Sequence, residues 1–300
     1  PALGTLGLCA NIVNTVVFYK MGLTDGVSQN FFILSISDGC LTALSLISSG
    51  AYILYTEVFV DGRSAHHVAQ VVYYVALLIG TFPQSVSMFT TVVIAVVRCL
   101  CVAIPLRVKF LMTARRQLAV ILMFSSCTTC VVLYSFIPGR ALLVHNPVTD
   151  TYFTMIVDLK WFEYTVYASA TSYIGFITVI ICVIIITISL NRSTNFREKT
   201  TSPASSLSAG EQNKDGSREA RVIKTVVFVS VVFILCNLPA MAHTLIGTLV
   251  KEFSSDGVYR NENSLNMIVM EMFIVINATV NIFIYYFCNM RYRTTFITVF

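Results

Sequence analysis

Four stretches of this chain, 1–19, 68–97, 117–139 and 164–190, contain no aspartate, glutamate, lysine or arginine. Charged residues make up 12% of the 300 and hydrophobic residues 56%, about half the charge of an ordinary soluble domain. Each uncharged run is about long enough to cross 30 Å of hydrocarbon as a helix. Three further runs, 27–56, 225–250 and 264–290, are equally apolar except for Asp38, His243 and Glu271 respectively. Membrane strands would need alternating polarity in short segments, and these runs are too long and too continuously apolar for that. The expectation is therefore an all-α membrane protein, a seven-transmembrane helix bundle with spans near 1–19, 28–55, 68–100, 116–138, 163–190, 221–250 and 264–289.

Other absences narrow the function. Of nine cysteines, Cys9, Cys40, Cys127, Cys130, Cys182 and Cys236 fall within spans, and Cys99, Cys101 and Cys288 at span ends. None stands in a connection on the oxidising side, so no disulfide framework is expected. The Cys127–Cys130 pair has no histidine or carboxylate beside it and reads as two small packing residues rather than a metal site. There is no HExxH, no GxSxG and no facing carboxylate pair on a loop, so no catalytic residue is assigned and an enzyme is not expected. No internal repeat is present, whereas transporters are usually built from paired halves. A secondary transporter with Asp38 and Glu271 as coupling carboxylates remains the alternative. The chain starts with Pro1 and its first span has no polar flank, which points to a fragment lacking a few outer residues of the first helix; no signal peptide can be judged.

The few charges are polarised. With the first residue outside, the inner segments hold fifteen Lys and Arg and the outer segments five, while acids number five inside and eight outside. The positive-inside rule then places the amino terminus outside and the carboxyl terminus in the cytoplasm. The formal net charge of +5 is a topological signal toward membrane lipids rather than a nucleic-acid footprint. Residues 191–217, rich in Ser, Thr, Lys and Glu, read as a disordered cytoplasmic loop.

Polar residues inside the spans converge in depth. Counted along helices from the inner ends, Asn11, Asp38, Ser87, Asn277 and Asn281 all lie about 12 to 18 Å from the inner surface, on four helices. A lone carboxylate in hydrocarbon is costly, so Asp38 should point inward, where these amides and the Ser87 hydroxyl satisfy it, alone or with a cation and water. The set reads as an ion-responsive polar network. Glu271 lies higher, about 27 Å from the inner surface. With His243, and with Gln84 beside the helix-breaking Pro83, it would form the polar floor of a pocket favouring a cationic group such as a peptide amine.

Four short motifs stand in order on these spans: LSISD at 34–38, AVVRCLCVAIPL at 95–106, FILCNLP at 233–239 and NIFIY at 281–285. Together they resemble the rhodopsin-like (class A) G-protein-coupled receptors. In that family the second helix carries Leu-Ala-x-x-Asp and the third ends in Asp-Arg-Tyr followed by Pro-Leu. The sixth helix carries Phe-x-x-Cys-Trp-x-Pro, and the seventh Asn-Pro-x-x-Tyr before a short amphipathic eighth helix, here near 292–296. The sequence departs from the pattern at Val97, where the acid would be, at Asn237 for the Trp and at Ile282 for the Pro, and the family's outer disulfide has no cysteines here. The style of residues 18–38 and 98–110 is similar to invertebrate peptide and chemosensory receptors.

The resemblance implies a plasma-membrane receptor that converts binding of an extracellular ligand, a peptide or small chemosensory molecule, into activation of a heterotrimeric G protein. Arg98 would contact the G protein, and Glu219, at the inner end of the sixth helix, would hold Arg98 in the inactive state. Tyr285 would swing inward on activation. Asp38, Ser87, Asn277 and Asn281 would form a sodium-linked relay, with Asp38 and Ser87 as sodium ligands; no other cofactor is expected. Asn237 joins Gln84, His243 and Glu271 in the ligand pocket. Gly80 stands where amine receptors keep an acid, and the seventh span has no lysine for a retinal Schiff base.

Overall fold

The fold is given by a computed structural model that describes residues 2–53, 63–104, 108, 110–136, 140–146, 151–157, 161–200, 210–250, 252–253 and 258–300. Its helices are α1 (Ala2–Met21), α2 (Gly26–Ile53), α3 (Arg63–Ala103), α4 (Ala114–Phe136), α5 (Trp161–Thr200), α6 (Gly210–Leu249), α7 (Arg260–Cys288) and α8 (Met290–Val299). Seven of them contain a segment long and apolar enough to cross a membrane. The protein is a multi-pass membrane bundle, and α8 is the short eighth helix.

The bundle is a ring closed on itself. α1 packs against α2 and α7, α6 against α5 and α7, and α3 runs through the middle touching α2, α4, α5 and α6. The outer faces explain the apolar composition. Ile174, Ile177, Ile181, Ile184 and Ile188 recur on α5 at three- and four-residue spacing and are all exposed, an arrangement that suits hydrocarbon rather than water. Hydroxyl side chains within the spans are mostly absorbed locally. Thr42, Ser85, Thr90, Thr91 and Thr187 each donate to the carbonyl four residues back, so they need no partner in lipid.

Close approach of α1 to its neighbours depends on Gly7. A Cβ there would stand 2.5 Å from Thr279 Oγ1 and 2.9 Å from Thr42 Cγ2. α1 ends at Gly22, whose φ of 87° lies in the left-handed region that closes helices. At the far end of the chain Asn289 serves two helices. Its N–H donates to Tyr285 O to finish α7, and its side-chain oxygen accepts from Tyr292 N at 3.2 Å to start α8.

The largest buried cluster gathers at the α8 end of the bundle around Phe18, Phe31, Leu34, Val226, Ile284, Tyr285 and Tyr292. Two smaller clusters, around Val179 and Phe233 and around Val93 and Ile121, surround α3. Rings meet edge-on or tilted, with Phe18 and Tyr285 centroids 5.0 Å apart and Phe31 and Tyr285 4.9 Å apart, the geometry aromatic pairs prefer.

Two features differ from the sequence expectation. An antiparallel hairpin of β1 (Arg140–Asn146) and β2 (Thr151–Val157), paired from Arg140↔Val157 to Asn146↔Thr151, stands between α4 and α5 and packs on α3. TYFTMIV is rich in β-branched and aromatic residues, and RALLVHN is an apolar run that ends on an Asn-Pro turn signal, a strand pattern that the scale of the spans hides. The region expected to be a loop, 191–217, is shortened from both sides, because α5 continues through Thr200 and α6 begins at Gly210. Helix formers such as Arg197, Glu198, Lys199, Glu211 and Gln212 carry each helix on past the membrane-spanning part. Residues 201–209 lie outside the described residues.

Candidate functional site

The single acid of α2 is the hub of the bundle's polar interior. Asp38, 1% exposed, accepts a 2.6 Å hydrogen bond on Oδ1 from Ser87 Oγ of α3 and a 2.9 Å bond on Oδ2 from Asn281 Nδ2 of α7. One carboxylate thus ties three helices, and charge-assisted bonds of this kind are among the stronger ones in proteins. Asn277, one turn before Asn281 on the same face, lines a cavity of about 130 Å³ together with Asp38 and Ser87.

Asn11 is buried beside this hub but bonds elsewhere. Its Nδ2 donates to Gly7 O within α1 and, at 2.9 Å, to Ala278 O of α7. It therefore fastens α1 to α7 through backbone instead of reaching Asp38. A second amide, Asn14, absent from the residues expected from the sequence, extends this set of bonds. Its Oδ1 accepts a 2.6 Å bond from the Tyr292 hydroxyl of α8, and its Nδ2 lies 3.5 Å from Asn11 Oδ1. The signal was present in the sequence as two asparagines three apart, which share a helix face.

Tyr285 is fully buried among Phe18, Phe31 and Tyr292, and its hydroxyl has no hydrogen-bond partner among the described residues. A buried unpaired phenol is costly, so this ring sits in an aromatic cage with an unmet polar end. At the same end of the bundle, Arg98 lines a cavity of about 280 Å³ with Asp25, Asn30 and Gln117. It makes no ion pair among the described residues. Glu219 belongs to α6, but its side chain lies outside the described residues, and so does its expected contact with Arg98.

The chain matches the profile of the 7 transmembrane receptor (rhodopsin family) over residues 11–285. It belongs to that family. No curated protein matches it. The family accounts for the seven spans and for the order of the four motifs along the receptor.

The remaining expected residues of the receptor occupy its other half, toward the hairpin. Gln84 and Asn237 line the same 130 Å³ cavity as Asp38, so that space reaches from the α3 and α6 walls down to the buried carboxylate. Asn237 also donates to Phe233 O at 2.8 Å. Glu271 lines a neighbouring hollow of about 80 Å³ that shares Leu41, Gln84 and Ile274 with the first. Its carboxylate has no hydrogen bond or ion pair among the described residues. His243 is not brought to it. The imidazole Nδ1 stands 3.1 Å from Asn266 Nδ2, and its ring meets Phe253 edge-on. Gln84 lines both hollows, Asn237 only the first and Glu271 only the second, while His243 joins α6 to α7.

Among the described residues no group of three or more His, Cys, Asp or Glu could hold a metal. The groups at Asp38 are of another kind: one carboxylate that accepts from a hydroxyl and from an amide N–H, with the Asn277 amide lining the same cavity.

Proposed function

We propose that the protein is a plasma-membrane receptor, amino terminus outside, that turns binding of an extracellular ligand at the hairpin end into activation of a heterotrimeric G protein at the α8 end. The observation that supports this best is the 130 Å³ cavity, because one space is walled by Gln84 and Asn237 and floored by Asp38, Ser87 and Asn277. A ligand entering there acts directly on the hydrogen bonds that join α2, α3 and α7. A ligand can shift a two-state equilibrium only by binding one state better, and a pocket whose floor is the inter-helix hub provides such a difference.

The ligand class follows from Glu271. A charged carboxylate in the outer half of a span needs water or a positive partner, and none of the described residues supplies one. A cationic or amidated peptide would, with Gln84 beside the carboxylate in the same hollow. At the opposite end Arg98 is the G-protein contact, and Tyr285 leaves its cage on activation to find a partner for its hydroxyl. A sodium ion held by Asp38 and Ser87, with Asn277 and Asn281 at its side, would stabilise the resting arrangement by supplying positive charge to the buried carboxylate. The transporter alternative gains no support from membership of a receptor family.

The experiment is nucleotide exchange. The receptor in lipid nanodiscs, mixed with each class of heterotrimeric G protein, should accelerate exchange on at least one of them when a cationic peptide from a library binds. Binding of peptides with no acceleration on any class would contradict the proposal.

A further inference from the structure

The α8-end cavity holds an unmatched donor and an unmatched acceptor. Arg98, with five N–H donors, lines it without a hydrogen bond or ion pair among the described residues, and the preceding residue is Val97, which offers no charge. Across the same 280 Å³ space stand Asp25, at the start of α2, and Asn30 one turn further on. Among the described residues the Asp25 carboxylate accepts only from Val27 N, at a long 3.4 Å.

Asn30 is the more telling of the two. It is 2% exposed, and its Oδ1 is buried with no partner among the described residues. The orientation of the amide is set by its neighbours. Gln117 Nε2 of α4 donates to Met112 O at 2.7 Å, which turns Gln117 Oε1 toward Asn30, whose Nδ2 donates to it at 2.6 Å. Both amides are therefore fixed, and Asn30 is left needing a donor from the cavity side. An orphaned buried acceptor costs free energy until a donor reaches it. Arg98 is the cation whose side chain lines that cavity. Arg116, by contrast, is turned to the carbonyls of Phe110 and Leu111.

We propose that Asp25 and Asn30 together form the resting-state acceptor for Arg98, in place of the acid that Val97 does not provide. The guanidinium donates to Asn30 Oδ1 and faces the Asp25 carboxylate, so α3 is held to the start of α2 instead of to α6. Activation must then detach Arg98 from α2, which frees it for the G protein. The proposal rests on the assignment of Arg98 as the G-protein contact, and it differs from the sequence expectation by giving the restraint to Asp25 and Asn30 rather than to Glu219.

Two measurements on the full chain in nanodiscs test it. The first is a melting cycle with Asp25→Asn, Arg98→Gln and the double variant. A pair predicts that the double variant melts no lower than the less stable single, because the second change removes nothing further. Additive melting shifts overturn the pairing whatever happens in signalling. The second is ligand-independent nucleotide exchange at equal receptor amounts. Asp25→Asn should raise it three- to tenfold, Asp25→Glu should leave it near wild type, and Val97→Asp placed on Asp25→Asn should bring it back down. Coupled melting with unchanged basal exchange in Asp25→Asn overturns the restraining role. If wild type with ligand drives no exchange on any G protein, the G-protein assignment fails instead, and the melting cycle still decides the pairing.

Discussion

The hydroxyl of Tyr292 in α8 donates a 2.6 Å hydrogen bond to Oδ1 of Asn14 in α1, two residues 278 positions apart and both fully buried. Near it Arg291 donates to Met21 O at 2.6 Å, so the eighth helix is latched to the first at two points. Tyr292 also stacks on Phe296 and packs against Phe18 and Tyr285. Whatever moves Tyr285 must therefore work against a ring that is itself tied down.

Removing that hydroxyl should loosen the latch without emptying the core. Tyr292→Phe keeps the ring but leaves Asn14 Oδ1 without its strong donor, at a cost of about 1–3 kcal/mol. Melting of the receptor in nanodiscs should fall accordingly, and Asn14→Leu combined with Tyr292→Phe should recover part of the loss. Equal melting of wild type and Tyr292→Phe would show the bond to be dispensable.

The latch should also have a one-sided pH response. Burial pushes the Tyr292 phenol well above its ordinary value of 10.0, so the neutral donor persists in the folded state after the unfolded chain has ionised. Because the folded value is the higher one, the contribution is complete below the unfolded value and is lost as pH rises above it. Melting should show no Tyr292-dependent change between neutral pH and about 9, and above about 10 a decline that is smaller in Tyr292→Phe. A Tyr292-dependent change in the acid range would contradict this.

Asp38→Asn should abolish any dependence of agonist affinity on sodium, measured against choline at matched ionic strength. The amide keeps an acceptor for one neighbour but carries no negative charge to balance a cation. An identical salt response in wild type and variant would remove the ion from the account and leave the hub as hydrogen bonds alone.

Glu271→Gln should weaken a cationic agonist by roughly 1.5 to 3 kcal/mol, the scale of a charge-assisted hydrogen bond, or about ten- to a hundredfold in Kd. A neutral analogue should change far less. Equal losses for charged and neutral agonists would make Glu271 structural and would take the peptide assignment with it.

Gly7→Val tests the spacing of α1. Its Cβ would sit 2.5 Å from Thr279 Oγ1, a hydroxyl already donating to Val275 O, so α1 must shift, costing on the order of 1–3 kcal/mol. Gly50, with open space around it, is the control: Gly50→Ala should not lower melting. Unaltered melting of Gly7→Val would mean that α1 is free to move.

Much of this architecture is legible in the sequence because hydrocarbon imposes coarse rules. Long uncharged runs announce the spans, and depth counting alone brings Asp38, Ser87 and Asn281 to one level, where two hydrogen bonds join them. What depth cannot supply is direction around a helix and the identity of backbone partners. Asn11 sits at the expected level but bonds to Ala278 O, an acceptor that every residue carries. His243 and Glu271 occupy neighbouring turns of different helices, yet His243 faces Asn266. The hairpin was hidden because its two segments are short and lie between spans whose apolar runs dominate any pattern. Asn30 and Gln117 carry no sequence signal beyond being polar residues near span ends, and it is their mutual bond that turns Asn30 Oδ1 away from a partner.

The central claim, that ligand binding near Glu271 is carried through the Asp38 hub to Arg98, is tested most directly by agonist-driven nucleotide exchange in Arg98→Ala beside agonist binding in the same preparation. The account predicts that Arg98→Ala binds agonist within about threefold of wild type while its agonist-driven exchange falls at least tenfold, a loss of about 1.4 kcal/mol or more in activation. Full exchange in Arg98→Ala, or loss of binding and exchange together in a variant that melts like wild type, would contradict it.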